Sequence, residues 1–287
     1  MIIIKLKGGL GNQLFQYALG RNISISRNIN VAFDLSWFKE RKDRTYKLKN
    51  FNVKENIISE KEAKKLRKYS KKLGKLSFFH NLFIADHSKY IYEKQFSFDP
   101  DILKVKDNVY LNGSWQSEKY FKDIKNILKK EIILSDNTSS EYQNIEKQMQ
   151  NTNSVSLHIR QGDYTSEKVQ KVLKLLSNSY YQDAIRKIKS LVQNPTFFIF
   201  SDDVEWAKNN IKIDSPVVFV SDGSLEDYEE LMLMSKCKHN IIANSTFSWW
   251  GAWLNNSINK KVMAPKKWFN NETKDTSDLI PDSWIRI

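Results

Sequence analysis

"MIIIKLKGGLGNQLFQYALGRNISISRNINVAFDL", Met1–Leu35, reads as strand, loop, helix, strand. Ile2 to Leu6 is mostly β-branched and apolar, interrupted only by Lys5, the pattern of a strand buried in a parallel sheet. "KGGLGN" turns the chain, and Leu14, Phe15, Ala18 and Leu19 then recur at helical spacing. Asn30–Leu35 supplies a second strand, completing one βαβ unit.

The same alternation returns in the second half. Ser154–Ile159, Pro195–Asp203, "SPVVFVSD", "HNIIAN" and a last strand, "KKVMAP", are strand candidates. Between them lie helix candidates at Ser177–Val192, "DVEWAKNNI", Leu225–Cys237 and "TFSWWGAWLN". Strands alternating with helices imply an α/β protein with parallel sheets covered on both faces. The polar stretch "LSDNTSSEYQ", Leu134–Gln143, is the best linker signal, giving domains 1–140 and 141–287.

Composition narrows the classes. The chain has 287 residues, 40% hydrophobic, and a net charge of +13 from 46 Lys+Arg against 33 Asp+Glu. A basic surface attracts anions: nucleic acid, anionic lipid or phosphorylated small molecules. The basic residues are scattered or lie on one helix candidate, Ser59–Leu76, and no nucleic-acid-binding motif accompanies them. That helix, with a Ser59/Glu62 capping box, reads either as a solvated face or as a peripheral contact with an anionic membrane. One cysteine, Cys237, excludes a disulfide framework and suits a reducing compartment. The four histidines lack metal-ligand spacing. "MIIIKL" is too short for a signal peptide or a membrane span, so a soluble cytoplasmic chain is expected.

In parallel α/β sheets, ligands bind outside the C-terminal ends of the strands. Polar residues cluster at four such ends. "KGGLGNQ" offers Gly9 and Gly11 for close backbone approach, and Asn12 and Gln13 as amide donors; Leu14 stands where a dinucleotide fingerprint needs glycine. "HIRQGDY" places His158 and Arg160 on one strand face by period two. Arg160 suits a phosphate, and Asp163 either pairs with it or orients it. "SDD" offers Ser201 and Asp202 to a ribose or a metal, or Asp202 as a helix cap. "NSTFS" sets Ser245 and Thr246 at a helix N-terminus, an anion site or an ordinary cap. Trp249, Trp250 and Trp253 read as core, and Gly251 as a close helix contact. Asn108–Phe121 reads as a short strand, a turn at Gly113 and then a helix, and in it Trp115 and Tyr120 are candidate platforms for an acceptor sugar.

"GGLGNQLFQYALG", "HIRQGDY", "FFIFSDDVEW" and "HNIIANSTFSWWGAWL", in this order and across nearly the whole chain, resemble the bacterial α-1,2-fucosyltransferases of glycosyltransferase family 11. The resemblance implies two Rossmann-like domains in a GT-B-type variant, the first on the acceptor side and the second holding GDP-fucose. It implies inverting transfer of L-fucose from GDP-β-L-fucose to O2 of a β-galactose at the end of a glycan, lipid-linked or free, with no cofactor and no metal. Arg160 would then grip the diphosphate, with His158 near ribose or phosphates. Gln161 stands where the wider HxRRxD motif has a second arginine. Glu230, or alternatively Asp227 or Glu229, would read guanine. Ser245, Thr246, Phe247 and Ser248 would help hold the donor. Fucosyl transfer to another position or to a protein, a non-catalytic sugar-binding module and a basic nucleic-acid-binding protein are the rivals.

Overall fold

The computed structural model describes residues 1–39, 41, 43–67, 89–135, 138–162, 173–270 and 274–287. The chain divides into two compact units, Met1–Ile132 and Ile133–Ile287. Leu134–Gln143 lies at the start of the second unit, where Ser139 caps a helix by accepting the Tyr142 N–H.

The first unit contains β1 (Ile2–Lys5), α1 (Leu10–Arg27), β2 (Val31–Asp34), the short α2 (Ser36–Lys39), α3 (Glu60–Arg67), β3 (Tyr90–Tyr92), β4 (Tyr110–Asn112) and α4 (Lys125–Glu131). Its four strands run parallel in the order β2-β1-β4-β3. The N-terminal βαβ unit forms as the apolar pattern demands, with Ile2 opposite Val31 and Ile4 opposite Phe33. Ile2, Ile3, Ile4 and Leu6 are all buried. Asn28 ends α1 in the left-handed conformation at φ 51°. Glu131 pins α4 to α1: its carboxylate accepts the Tyr17 hydroxyl at 2.6 Å and pairs with Arg21 at 2.8 Å.

In this unit one expectation holds over the residues described and another is overturned. The expected basic helix is described only over Glu60–Arg67, with the Ser59–Glu62 capping contact in place and Ala63 buried; the rest of Ser59–Leu76 lies outside the described residues. The helix expected directly after Gly113 does not form. The chain instead takes a left-handed turn at Trp115, φ 56°, and two 3₁₀ turns, Glu118–Tyr120 and Lys122–Ile124, before α4. The cause is Glu93, whose carboxylate accepts the N–H groups of Ser114 and Trp115 and so holds them out of a helix.

The second unit contains α5 (Ser140–Gln150), β5 (Asn153–Ile159), α6 (Asn178–Lys189), β6 (Pro195–Ser201), α7 (Val204–Asn210), β7 (Val217–Phe219), α8 (Asp227–Lys236), β8 (His239–Ile241), α9 (Thr246–Leu254), β9 (Val262–Ala264) and β10 (Ile285–Arg286). Its six strands are parallel in the order β10-β9-β8-β5-β6-β7. Val155, Leu157 and Ile159 of the central β5 join Phe197, Ile199, Ile185 and Ile188 in one core. β9 is not the last strand, because β10 pairs beside it; two residues are too few to carry a readable period. Trp249, Trp250 and Trp253 are buried, as expected. A Cβ on Gly251 would lie 2.6 Å from the Met234 Cβ, so glycine lets α9 pack tightly on α8. Among the described residues no helix is long and apolar enough to cross a membrane.

Candidate active site

The site grows from the C-terminal end of β5. Ser156 and His158 lie on the strand face opposite the Val155–Leu157–Ile159 core. The strand ends at Arg160, whose N–H is donated to the Tyr181 hydroxyl at 3.4 Å. Asp202, just past β6, meets this turn with both oxygens. Its Oδ2 lies 3.2 Å from Arg160 Nη1, and its Oδ1 accepts the Gln161 N–H at 2.8 Å. A Cβ on Gly162 would collide with the same carboxylate, so glycine is what admits it. Asp202 therefore braces the arginine. Asp163, the partner or brace expected from sequence, lies outside the described residues.

His158 is 4% exposed, and its Nδ1 has no hydrogen-bond partner among the described residues. Burial, and then the Arg160 charge, push its pKa down to about 3. It is neutral at any working pH and contributes shape beside Arg160 rather than charge. Its ring lies 5.7 Å from that of Phe247, which brings the start of α9 next to the end of β5.

At that helix start Ser245 is the cap and accepts the Phe247 N–H at 3.3 Å. Ser245, Thr246 and Phe247 are half-buried, and the first N–H groups of α9 carry the positive end of its dipole. Ser248 departs from expectation: it is buried, and its hydroxyl donates to the Ser245 carbonyl, so it serves the helix turn and not a ligand. Asn244 is fixed from below, its Nδ2 donating to the carbonyls of Lys174 and Trp268.

Asp203, not Asp202, caps α7, accepting the Trp206 N–H at 2.9 Å. The Ser201 hydroxyl is spent on the Asp203 backbone, while its N–H is donated to Ser221 Oγ at 3.0 Å. Ser221 also hydrogen-bonds Glu230, so a serine pair links β6 to α8. Burial raises the Glu230 pKa to about 7, with Ser221 opposing and the Asp227 and Asp222 charges adding. Glu229 is excluded as the guanine reader. Both its oxygens are committed, one to Ser139 and one to the Glu226 N–H in a capping box.

The glycine-loop residues belong to the first unit. Gly9 caps α1 and Gly11 lies buried in its first turn. Asn12 is half-buried and its Oδ1 accepts from Gln116 Nε2 at 2.7 Å. Gln13 is fully buried: Nε2 donates to the carbonyls of Gly8 and Thr45, and Oε1 accepts the Lys47 N–H, so its amide ties loops together instead of facing a ligand. Trp115 and Tyr120 are each 1% exposed and pack edge to face, so neither is a sugar platform. The left-handed turn drives Trp115 inward, and the Tyr120 hydroxyl accepts the Asp99 N–H.

The family model for glycosyl transferase family 11 matches residues 1–287. The chain belongs to glycosyltransferase family 11. This family 11 chain is 34% identical to an alpha-1,2-colitosyltransferase of Escherichia coli, over 100% of this chain and 99% of the relative. It is 33% identical to the O-antigen biosynthesis glycosyltransferase WbnK of Escherichia coli, over 98% and 99%. Among solved structures, a point mutant of Arabidopsis thaliana FUT1 in complex with GDP shares the fold, with a TM-score of 0.54 at 7% identity, over 91% of this chain and 69% of that one.

Three residues of the glycosyltransferase escaped sequence reasoning. Ser221 ends the β7 segment as Ser201 ends β6, a parallel that signals its place. Tyr181 looked like one more apolar residue of α6. Gln116 gives no local signal, because Asn12, which it holds, is 104 residues away.

Proposed function

We propose that this glycosyltransferase moves L-fucose from GDP-β-L-fucose to O2 of a terminal β-galactose, inverting the anomeric carbon to an α-1,2 linkage. The observation that carries the reading is Arg160, aimed by Asp202 at the end of β5, with the α9 N-terminus beside it. As the C1–O bond breaks, the leaving GDP gains negative charge. The Arg160 guanidinium and the first N–H groups of α9 stabilise that charge. Glu230, as a carboxylate, accepts from N1–H and N2–H₂ of guanine, a donor pair that adenine lacks. The acceptor hydroxyl attacks from the opposite face of an oxocarbenium-like centre, forming the new C1–O bond as the GDP oxygen leaves and releasing its proton to water. The proposal requires no metal: activity should survive EDTA, and complete loss restored by Mn²⁺ would overturn that part.

The 34% identity to a colitosyltransferase favours a second donor reading. Colitose is fucose without its 3-hydroxyl, so the two donors differ only at C3. The likeness to WbnK, an O-antigen biosynthesis glycosyltransferase, favours a glycan of the O-antigen class as acceptor and, with it, a cytoplasmic enzyme. The test is to offer GDP-fucose and GDP-colitose in competition with a panel of β-galactosides and to determine the product linkage by NMR. An α-1,2-linked product from GDP-fucose supports the proposal. Exclusive use of GDP-colitose moves the donor assignment, and a product of any other linkage sinks it.

A further inference from the structure

The C-terminal edge of the first sheet carries a polar cluster that the donor chemistry does not use. Lys7, just past β1, donates from Nζ to Asn112 Oδ1 at 2.9 Å, and Asn112 Nδ2 donates to the Tyr90 hydroxyl at 2.9 Å. Burial lowers the Lys7 pKa, against the opposing charge of Glu93. Beside this pair, Gln116 holds Asn12. Gln16 ties the two together, accepting the Lys7 N–H and donating to the Gly113 carbonyl.

The segment that carries Asn112 and Gln116 is built under constraint. Trp115 sits at φ 56°, a conformation that costs a bulky residue free energy and persists only where the surroundings enforce it. The Glu93 carboxylate enforces it through two backbone N–H groups. A Cβ on Gly113 would lie 2.6 Å from both the Glu93 Cβ and the Trp115 ring. A strained loop held this firmly fixes two amide side chains at a sheet edge, where parallel α/β proteins bind ligands.

Tyr92 completes the arrangement. It is the last residue of β3, pairs in register with Asn112, and is 48% exposed, while Tyr90 and Tyr110 inside it are buried. Its ring packs against Tyr90 with centroids 4.7 Å apart. An exposed aromatic in register with Asn112, which in turn holds the Lys7 ammonium, is a combination that takes a pyranose: the C3–C4–C5 hydrogens of a galactose lie on the ring, and its hydroxyls meet the polar groups.

We propose that the Tyr92 ring, flanked by Lys7 and Asn112, is the subsite for the acceptor galactoside. The assignment rests on the galactoside acceptor of the proposed function and replaces Trp115 and Tyr120.

The test uses the full chain with methyl β-D-galactopyranoside, read both by saturation-transfer NMR without donor and by the acceptor KM with GDP-fucose. Tyr92→Ala should raise the acceptor KM about tenfold, the scale of one lost aromatic contact. It should also weaken the NMR signal, with GDP affinity unchanged in titration. Tyr92→Trp should restore both. Lys7→Met, which keeps the stem and removes the charge, should weaken the galactoside in the same way. An unchanged acceptor KM in Tyr92→Ala overturns the subsite, as does loss of GDP affinity in Lys7→Met, which would make Lys7 a phosphate ligand. If wild type binds the galactoside but never transfers to it, and Tyr92→Ala abolishes that binding, the subsite stands and the proposed reaction falls. Absence of galactoside binding in wild type overturns the subsite.

Discussion

Asp202 holds Arg160 by its side chain and Gln161 by its backbone, with one carboxylate oxygen for each. The strand end is fixed by the same group that aims the guanidinium. Asp202→Ala should leave the fold intact, since Asp202 is part-exposed and α7 keeps its Asp203 cap. It should lower kcat by roughly tenfold to a hundredfold, the range for a lost charge-assisted hydrogen bond. Asp202→Asn should fall between, because its carbonyl still accepts the Gln161 N–H. Steady-state kinetics alongside circular dichroism check this.

Arg160→Ala removes the charge that the proposed mechanism sets against the leaving diphosphate. Turnover should fall by about a hundredfold to a thousandfold, the scale of one lost transition-state donor. The thermal midpoint should stay close to wild type, because the side chain is 26% exposed and outside the apolar core. Arg160→Lys should recover only part, since an ammonium grips one oxygen where a guanidinium grips two. Near-normal turnover in Arg160→Ala would refute the assignment.

The guanine contact proposed for Glu230 makes nucleotide affinity depend on pH. Its pKa in the free protein is raised to about 7, so only above that value is it mainly the carboxylate that guanine needs. GDP affinity should therefore fall as pH drops through 7, and binding at pH 7 should release protons. Without ligand the sign reverses. The folded state holds this proton more tightly than the unfolded chain, so Glu230 contributes stability that declines as pH rises between the unfolded value near 4.5 and 7. Calorimetry in buffers of different ionisation enthalpy measures the proton release. Glu230→Gln should remove both trends.

Gly251→Val places methyl groups where Met234 already lies. Overpacking of this kind costs about 1–3 kcal/mol. A lower thermal midpoint is expected, and Met234→Ala in the same chain should relieve part of it by opening the contact.

Much of the fold was legible because it rests on short-range periodicity. Ile2–Leu6 and the alternation in β5 announce buried parallel strands, and the tryptophans of α9 announce a core helix. The place of Arg160 at a strand end, where parallel sheets present ligand chemistry, was legible for a related reason. Its brace was not, because Asp202 lies 41 residues from Gln161 and sequence proximity pointed to Asp163. Trp115 misled in the opposite sense. An aromatic beside a glycine looks exposed, but the turn imposed by Glu93 swings it inside, and only the partner 22 residues away explains that. Tyr92, in a three-residue edge strand, gave no pattern at all.

The brace at residue 161 grips main chain and ignores the side chain. Gln161 is 3% exposed, with an Nε2 that has no partner among the described residues, yet the peptide that carries it is anchored whatever its side chain. Aim and charge are thus separable variables at this strand end. Evolution or a designer can change how much positive charge residue 161 brings without disturbing where Arg160 points, while Gly162, one step on, has no such latitude.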